Sequence, residues 1–370
     1  MRLLDRYVFV EWLKVFAVAL GVTLGILIMH DMYSNLGKLI NWGASLREIS
    51  LFYALLAPTL IPVVLPISLL ISLIYVLGAL HRNNEITAMR SAGMNVFSIT
   101  RTLWLAGLAL SGLMLWLNAD AIPVCIERSR AIYDSVNFEQ QLKSAKDAGA
   151  VGVLAPLCFN DRKQGRLWFM NSFSQATNEG RGVSVSVMDA DGAEKSKVMA
   201  SKAVYDDAAG CWEFYNGKFM EFAKGGAISH ESSFDKRRFE DFNEEPRIMA
   251  LSMRRAKDLS LFETKALLDS FGGESARESL PYLVRWYSIW TSSFVCLIVV
   301  AIAIPFSVSG VRTNPMVGVS KTFGLFFLYY IIDNIMAAMG GRGIISPLAA
   351  SVIPVVAMFA FALSLYRKAT

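Results

Sequence analysis

The stretch LFYALLAPTLIPVVLPISLLISLIYVLGAL, residues 51–80, decides the class of this chain, because its thirty residues contain no Asp, Glu, Lys, Arg or His. A helix rises about 1.5 Å per residue, so about 20 apolar residues cross the roughly 30 Å of hydrocarbon in a bilayer. Leu51–Leu80 is longer than one crossing needs. Pro58, Pro62 and Pro66 recur every four residues on one helical face, which predicts a kink or local unwinding there.

Outward from this stretch the apolar pattern repeats. Leu13–Met29 precedes it; Arg2 and Arg6 stand before that run as they do before a signal peptide, but the run is long and no A-x-A site follows, so it reads as a retained span. Leu103–Leu117 follows, and Tyr287–Val308, Phe323–Gly340 and Ile344–Tyr366 bring the expected total to six. Between the third and fourth runs the composition changes. Of 31 acidic residues, only Asp5, Glu11, Asp31, Glu48, Glu85 and Asp333 lie outside residues 120–280. The chain therefore reads as two apolar blocks flanking one normally charged block.

The short loops give these spans a direction. Arg2, Arg6, Lys14, Arg82, Arg90, Arg101, Arg312, Lys321, Arg367 and Lys368 fall on one side, and Lys38, Arg47 and Arg342 on the other. This bias predicts both termini in the cytoplasm and the charged insert outside it. The net charge of +5, without a Lys/Arg-rich run, argues against a nucleic-acid partner.

The insert reads as strands. Ala150–Phe159, Arg166–Asn171, Val183–Asp189, Lys197–Tyr205, Cys211–Tyr215, Lys218–Phe222 and Ala227–Phe234 are short β-rich runs, separated by turn signals at residues 178–180, Asp191-Gly192, Asn216-Gly217 and Gly225-Gly226. That spacing favours an antiparallel sandwich or jelly roll, with Trp168-Phe169-Met170 and Trp212-Glu213-Phe214 supplying its core. Ser260 and Glu263 form a capping-box pattern opening a helix that Gly272-Gly273 would stop. Cys158 and Cys211 are either a disulfide or two small buried residues. No metal cluster, G-x-S-x-G, H-E-x-x-H, aspartyl pair or G-x-x-x-x-G-K-[ST] is present, so the chain reads as a non-enzymatic binding or transport subunit without a cofactor of its own.

The loop after the second span is the most informative short segment. In His81–Asn95, Asn83 or Asn84 suits an N-cap, Glu85 suits the first turn of a helix, Ile86 and Met89 share a face, and Gly93 supplies a stop. It is either a solvated connector or a coupling helix for a cytoplasmic motor.

Glu85-Ile86-Thr87-Ala88-Met89-Arg90-Ser91-Ala92-Gly93 resembles the E-[IL]-x-[AV]-[ML]-x-[AS]-x-G segment of the lipopolysaccharide-export permeases, the LptF/LptG family. Leu4-Asp5-Arg6-Tyr7 is similar to the N-terminus of its LptG branch, and Ala303-Ile304-Pro305-Phe306 to the cytoplasmic end of its fourth span. Residues 343–350 with Pro354 resemble its G-x-[LI]-P-P-x-x-A segment and later proline, with Ser346 replacing the first proline of the pair. The resemblance covers the whole chain.

The resemblance implies an α-helical polytopic protein of the bacterial inner membrane: spans one to three in residues 1–118, with a coupling helix at about 83–93; a periplasmic all-β jelly-roll domain with connecting helices in 119–282; and spans four to six in 283–370. It further implies a heterodimer with a second permease, a dimeric LptB-like ATPase that binds the ATP, LptC/LptA-like periplasmic bridge proteins, and lipopolysaccharide as substrate. Competing readings are a permease for another lipid or lipoprotein and a membrane-anchored scaffold. By the same resemblance Glu85 engages the ATPase, with Ile86, Met89, Arg90 and Gly93 around it, and spans one and five border a lateral opening. Lys38, and behind it Arg47 and Arg342, are the candidate contacts for lipid phosphates, while the plainer reading of Lys38 is a cation that snorkels at the interface. Tyr329 and Asp333, one turn apart within the fifth span, are gate or cavity candidates, and Asp333 is alternatively a structural partner for Arg342.

Overall fold

A computed structural model describes residues 3–144, 151–189, 192–223, 226–271, 277–308 and 315–369. Arg2, Ala150, Asp191, Gly225, Gly272, Gly273 and Arg312, which entered the reading above, lie outside the described residues. The chain forms two compact units: Met1–Lys38, Leu46–Ser129 and Leu283–Thr370 make one, and Leu39–Ser45 with Arg130–Tyr282 the other.

The first unit is helical. Its chain runs through α1 (Leu3–Asn41), α2 (Leu46–Arg82), α3 (Glu85–Ser91), α4 (Val96–Trp116) and the start of α5 (Ile122–Ser144). Among the described residues six segments are long and apolar enough to cross a membrane: Leu3–Asn41, Leu46–Arg82, Val96–Lys143, Arg277–Phe306, Ser320–Gly341 and Pro347–Arg367. The local unwinding expected at Pro58, Pro62 and Pro66 does not occur, and α2 is helical throughout. Each proline removes one backbone donor, yet the helix carries the run across because the flanking turns remain bonded; Thr59 adds a hydroxyl bond to the Leu56 carbonyl at 2.7 Å.

The third span does not stop at Leu117. It passes through a π-helical turn, Leu117–Ala121, and continues into α5. Buried Asn118 in that turn donates to the Ile289 carbonyl at 3.2 Å and to Ser293 Oγ at 3.1 Å. Those acceptors lie where α8 (Leu280–Thr291) passes through a 3-10 turn into α9 (Val295–Val308). Two irregular turns therefore share one amide, which joins the Ser292 hydroxyl, at 2.9 Å, on the Ile289 carbonyl.

Helix α9 is the axis of this unit. It packs against α2, α4, α10 (Pro315–Gly341) and α11 (Pro347–Ala369), and almost every side chain from Val295 to Pro305 is buried. Lipid tails are as apolar as leucine, so helices in a bilayer gain by close packing and not by escaping water. Gly107 of α4 shows this: a Cβ there would stand 2.7 Å from Val300 Cγ2.

The second unit is built on seven antiparallel strands: β1 (Val153–Leu154), β2 (Leu157–Asp161), β3 (Arg166–Ser174), β4 (Glu179–Met188), β5 (Glu194–Asp206), β6 (Cys211–Phe222) and β7 (Ile228–Phe239). Strands β3 to β7 form a meander, and β1 and β2 both pair with the free side of β3. This single sheet is compatible with the expected jelly roll because it is folded along a transverse crease. At Asn171, Gly182, Ser201, Asn216 and Asp235 the pairing is skipped once on each of β3 to β7. Across that line the buried positions are three apart and not two: Met170 and Phe173, Gly180 and Val183, Ala200 and Ala203, Phe214 and Gly217. One unpaired position per strand, with the register kept on either side, resets the pleat, and the row of them forms the fold line of the sheet.

Asn216-Gly217 was expected to be a hairpin turn between two strands; it lies instead inside the continuous β6, with Asn216 left-handed at φ 48. Asn-Gly favours left-handed backbone equally in a turn and in a crease. Gly182 is needed for both its φ of 60 and its space, since a Cβ would fall 2.3 Å from Asn171 Nδ2. Folding the sheet brings Trp168 of β3 onto Trp212 and Phe214 of β6, with ring centroids 5.1 and 6.0 Å apart. The expected core residues Trp168, Met170, Trp212 and Phe214 are all buried, whereas Phe169 and Glu213 point outward in the alternation. Helices α6 (Pro246–Ser252) and α7 (Leu261–Ser270) add Met249, Leu251 and Leu267 to this core. The capping box of α7 is fully formed, with Glu263 N donating to Ser260 Oγ at 3.2 Å and Ser260 N to Glu263 Oε2 at 2.9 Å.

Candidate functional site

The short helix α3 is positioned by its own two apolar residues. Ile86 is 1% exposed and Met89 9%, both within the core of the helical unit. These two were expected among the motor contacts; their side chains are instead committed to this chain, so they anchor the helix. Thr87, Ala88, Arg90 and Ser91 form its exposed side. Asn84 takes the N-cap position with left-handed backbone (φ 59) but makes no side-chain cap, while Asn83 Nδ2 reaches Glu85 Oε1 at 3.4 Å. The stop at Gly93 is a paired closure: Met94 N donates to the Met89 carbonyl at 3.1 Å and Gly93 N to the Arg90 carbonyl at 2.9 Å, with Gly93 at φ 83. Glu85 is half-buried at the head of α3.

At the other end of α1 the structure adds two residues that sequence reading overlooked. Lys38 Nζ donates to Asn35 Oδ1 at 3.3 Å, and Asn35 Nδ2 donates to Asp31 Oδ1 at 2.8 Å. These three residues lie on one helical stripe, so the spacing of three and four residues was the available signal. Arg47, in the first turn of α2, and Arg342, just past α10, are exposed, and among the described residues no shared partner joins them to Lys38.

Tyr329 is buried in the core at 3% exposure, and Asp333 is half-buried one turn on. No ion pair joins Asp333 to Arg342 among the described residues. Nine residues of helix separate the two by about 13 Å along the axis, too far for the pairing considered above.

In the β unit β7 carries a solvent-exposed arginine opposite buried Phe214. Arg237 pairs with Phe214 across the sheet, and its guanidinium lies 5.1 Å from the Phe219 ring and 4.8 Å from the Phe239 ring. The outer face is a charged lattice. Hydrogen bonds from Lys236, Arg238 and Tyr215 hold the Glu213 carboxyl at about 2, well below the usual carboxylate range. Inside, burial raises the pKa of Glu244 although Arg166 lies 3.0 Å away. Cys158 is exposed and Cys211 buried, and both are free thiols. Among the described residues no group of three or more His, Cys, Asp or Glu could hold a metal ion.

Six apolar helices split by an antiparallel β unit after the third define a multi-pass membrane protein with an inserted strand-rich domain. Its sequence matches the family described as lipopolysaccharide export system permease LptF/LptG over residues 6–368, nearly the whole chain. The chain belongs to that family, and is thereby a multi-pass transport subunit of the inner membrane. The match is to the LptF and LptG branches jointly. No curated protein matches the chain.

Proposed function

We propose that this chain is one of two permease subunits of an ATP-driven machine that extracts lipopolysaccharide from the inner membrane and passes it to a periplasmic bridge. Family membership supports the export role, and the loop charges support cytoplasmic termini with the β unit in the periplasm. A dimeric LptB-like ATPase would meet α3, a second permease would complete the lipid path, and LptC/LptA-like proteins would receive the lipid.

The observation that carries this reading is the division of labour on α3. A seven-residue helix is too short to be stable alone. Here Ile86 and Met89 fasten it to the bundle, leaving a polar side with Arg90 and the Glu85 carboxylate for a partner. A motor cation docking on Glu85 would push a helix already welded to the transport core. Toward the lipid, Lys38 is held by the Asn35–Asp31 ladder, an arrangement that presents its ammonium to a phosphate. In the β unit the creased sheet encloses an aromatic interior suited to acyl chains, and β7 is its edge strand, the natural place for a bridge protein to add a strand.

The test is reconstitution with a second permease and the ATPase in proteoliposomes containing lipopolysaccharide. Glu85→Ala is expected to lower ATP-dependent lipid delivery by about tenfold or more, as loss of a charge-assisted hydrogen bond does, while the permease stays folded. Wild-type assembly and delivery in that variant would refute the assignment.

A further inference from the structure

One face of α4 carries a stripe that the fold leaves open. Phe97, Arg101, Trp104, Leu105 and Leu108 recur at the helical spacing of three and four residues, and with Leu297 of α9 they line a groove of about 440 Å³. Pockets that hold small molecules span roughly 300–1,000 Å³, so the size suits a ligand. Phe97, Leu105 and Leu108 are exposed. Leu297 stands at the Leu108 end, because the carbonyl of its neighbour Cys296 lies 3.8 Å from a Cβ built at Gly107. The Trp104 ring packs edge-on against Tyr366 of α11, with centroids 6.1 Å apart, which fixes one wall. From Phe97 to Leu108 the helix rises roughly 16 Å, about half the hydrocarbon thickness and so the depth of one leaflet.

Arg101 is the one charged residue of the six, and its place is fixed from behind. Its Nη2 donates to Asp5 Oδ2 across 96 residues of sequence, with the Asp5 side chain 4% exposed and the Arg101 side chain 45% exposed. A buried carboxylate is costly unless paired, so the pair holds. A guanidinium has five donors in a rigid fork. Asp5 takes one from the inside, and the exposed part of the fork stands at the mouth of an apolar groove. The ends of α1 to α4 on this side carry Arg6, Lys14, Arg82, Arg90 and Arg101 against Asp5, Glu11 and Glu85, so the rim is positive. We infer that this groove binds an anionic phospholipid, with one acyl chain along Trp104, Leu105 and Leu108 and the headgroup phosphate on Arg101. Basic pockets between spans on the cytoplasmic side suit such headgroups. The choice of leaflet rests on the orientation proposed above, in which the groove opens at the cytoplasmic face. The exported lipid leaves on the opposite side, so this lipid is a resident and not cargo. Because it binds only the packed arrangement of α4 with α9 and α11, it stabilises that arrangement by mass action.

The experiment places the full chain in nanodiscs of phosphatidylethanolamine mixed with phosphatidylglycerol and counts the lipids retained on the released protein by native mass spectrometry. Phosphatidylglycerol should be retained about tenfold over phosphatidylethanolamine, the worth of one charge-assisted hydrogen bond. Asp5→Asn combined with Arg101→Gln keeps a neutral hydrogen bond on the inside and removes the cation at the mouth. That pair should bring the two lipids to equal retention. Leu108→Trp leaves both charges in place and fills the deep end of the groove. It should lower phosphatidylglycerol retention about fourfold, the worth of one displaced methylene. Equal retention of the two lipids by the wild-type chain would make the groove ordinary lipid-facing surface and overturn the inference. So would an undiminished preference in the neutral pair, or unchanged retention in Leu108→Trp, which decides the matter if the neutral pair does not fold. None of these measurements requires export, so failure of the transport reading would leave their outcomes unaltered.

Discussion

The α1 span and the segment containing α9 are both long and apolar, yet 67% of the apolar window around α9 is buried within the chain and only 11% of the α1 window is. The α10 span resembles α1, at 17%. Where α9 meets α2, α4, α10 and α11, its small residues Ala301 and Ala303 and the facing Gly107 let backbones approach. Along α1, Val18, Val22, Ile26 and Met29 point away from the chain, as do Phe327, Ile331 and Ile335 along α10. The difference separates two jobs for apolar helix: α9 is scaffold, and the first and fifth spans offer surfaces that only lipid or another subunit can cover. Those are the two spans that border the lateral opening in the family resemblance.

Two glycines break or sharpen this contrast most strongly. A Cβ at Gly107 has Val300 Cγ2 at 2.7 Å, whereas one at Gly25 in α1 meets nothing within 4 Å. Gly107→Leu should destabilise the purified chain by about 3 kcal/mol, the upper range for overpacking, read as a fall in thermal midpoint in detergent. Gly25→Leu should leave the midpoint unchanged or slightly raised, since glycine inside a helix costs about 0.5–1 kcal/mol. Equal loss in both variants would erase the distinction.

The next effect concerns the joint at the top of the scaffold. Asn118→Ala removes both bonds to the α8–α9 break, leaving the Ser292 hydroxyl, at 2.9 Å, on the Ile289 carbonyl. A loss of about 2 kcal/mol is expected in the same melt. A change below about 0.5 kcal/mol would mean the two irregular turns are independent.

The smallest effect belongs to the exposed helix. Lys38→Glu should lower lipopolysaccharide cross-linking to α1 about tenfold with assembly unaltered. An unchanged yield would make Lys38 an interfacial snorkeller, held by Asn35 for packing alone.

How much of this was legible in the sequence depends on range. The six spans follow from local apolarity, and the α7 capping box follows from Ser260 and Glu263 three residues apart. The α3 stop at Gly93 is equally local. Which face of an apolar helix meets protein is not local, because leucine facing lipid and leucine facing leucine have the same hydropathy; nothing in residues 13–29 announces that α1 is bare. The Asp5–Arg101 pair spans 96 residues and carries no spacing signal. The β crease was hidden for another reason. Asn216-Gly217 has the backbone freedom of a hairpin turn, and only the matching skips at Asn171, Gly182, Ser201 and Asp235 reveal a fold line. Ile86 and Met89 were identified correctly as one apolar face of α3, but a face alone does not say whether it turns toward a motor or toward the chain's own core.

The most direct test places a photo-crosslinking residue at Val22 on α1, Ile331 on α10 or Val299 on α9, in the complex with its ATPase and second permease in lipopolysaccharide-containing membranes. Val22 and Ile331 are exposed and Val299 is fully buried. Lipopolysaccharide adducts should form at Val22 and Ile331, respond to ATP, and be absent at Val299. Adducts at Val299 equal to those at the other two positions, or none at Val22 and Ile331, would contradict a lipid path along the first and fifth spans.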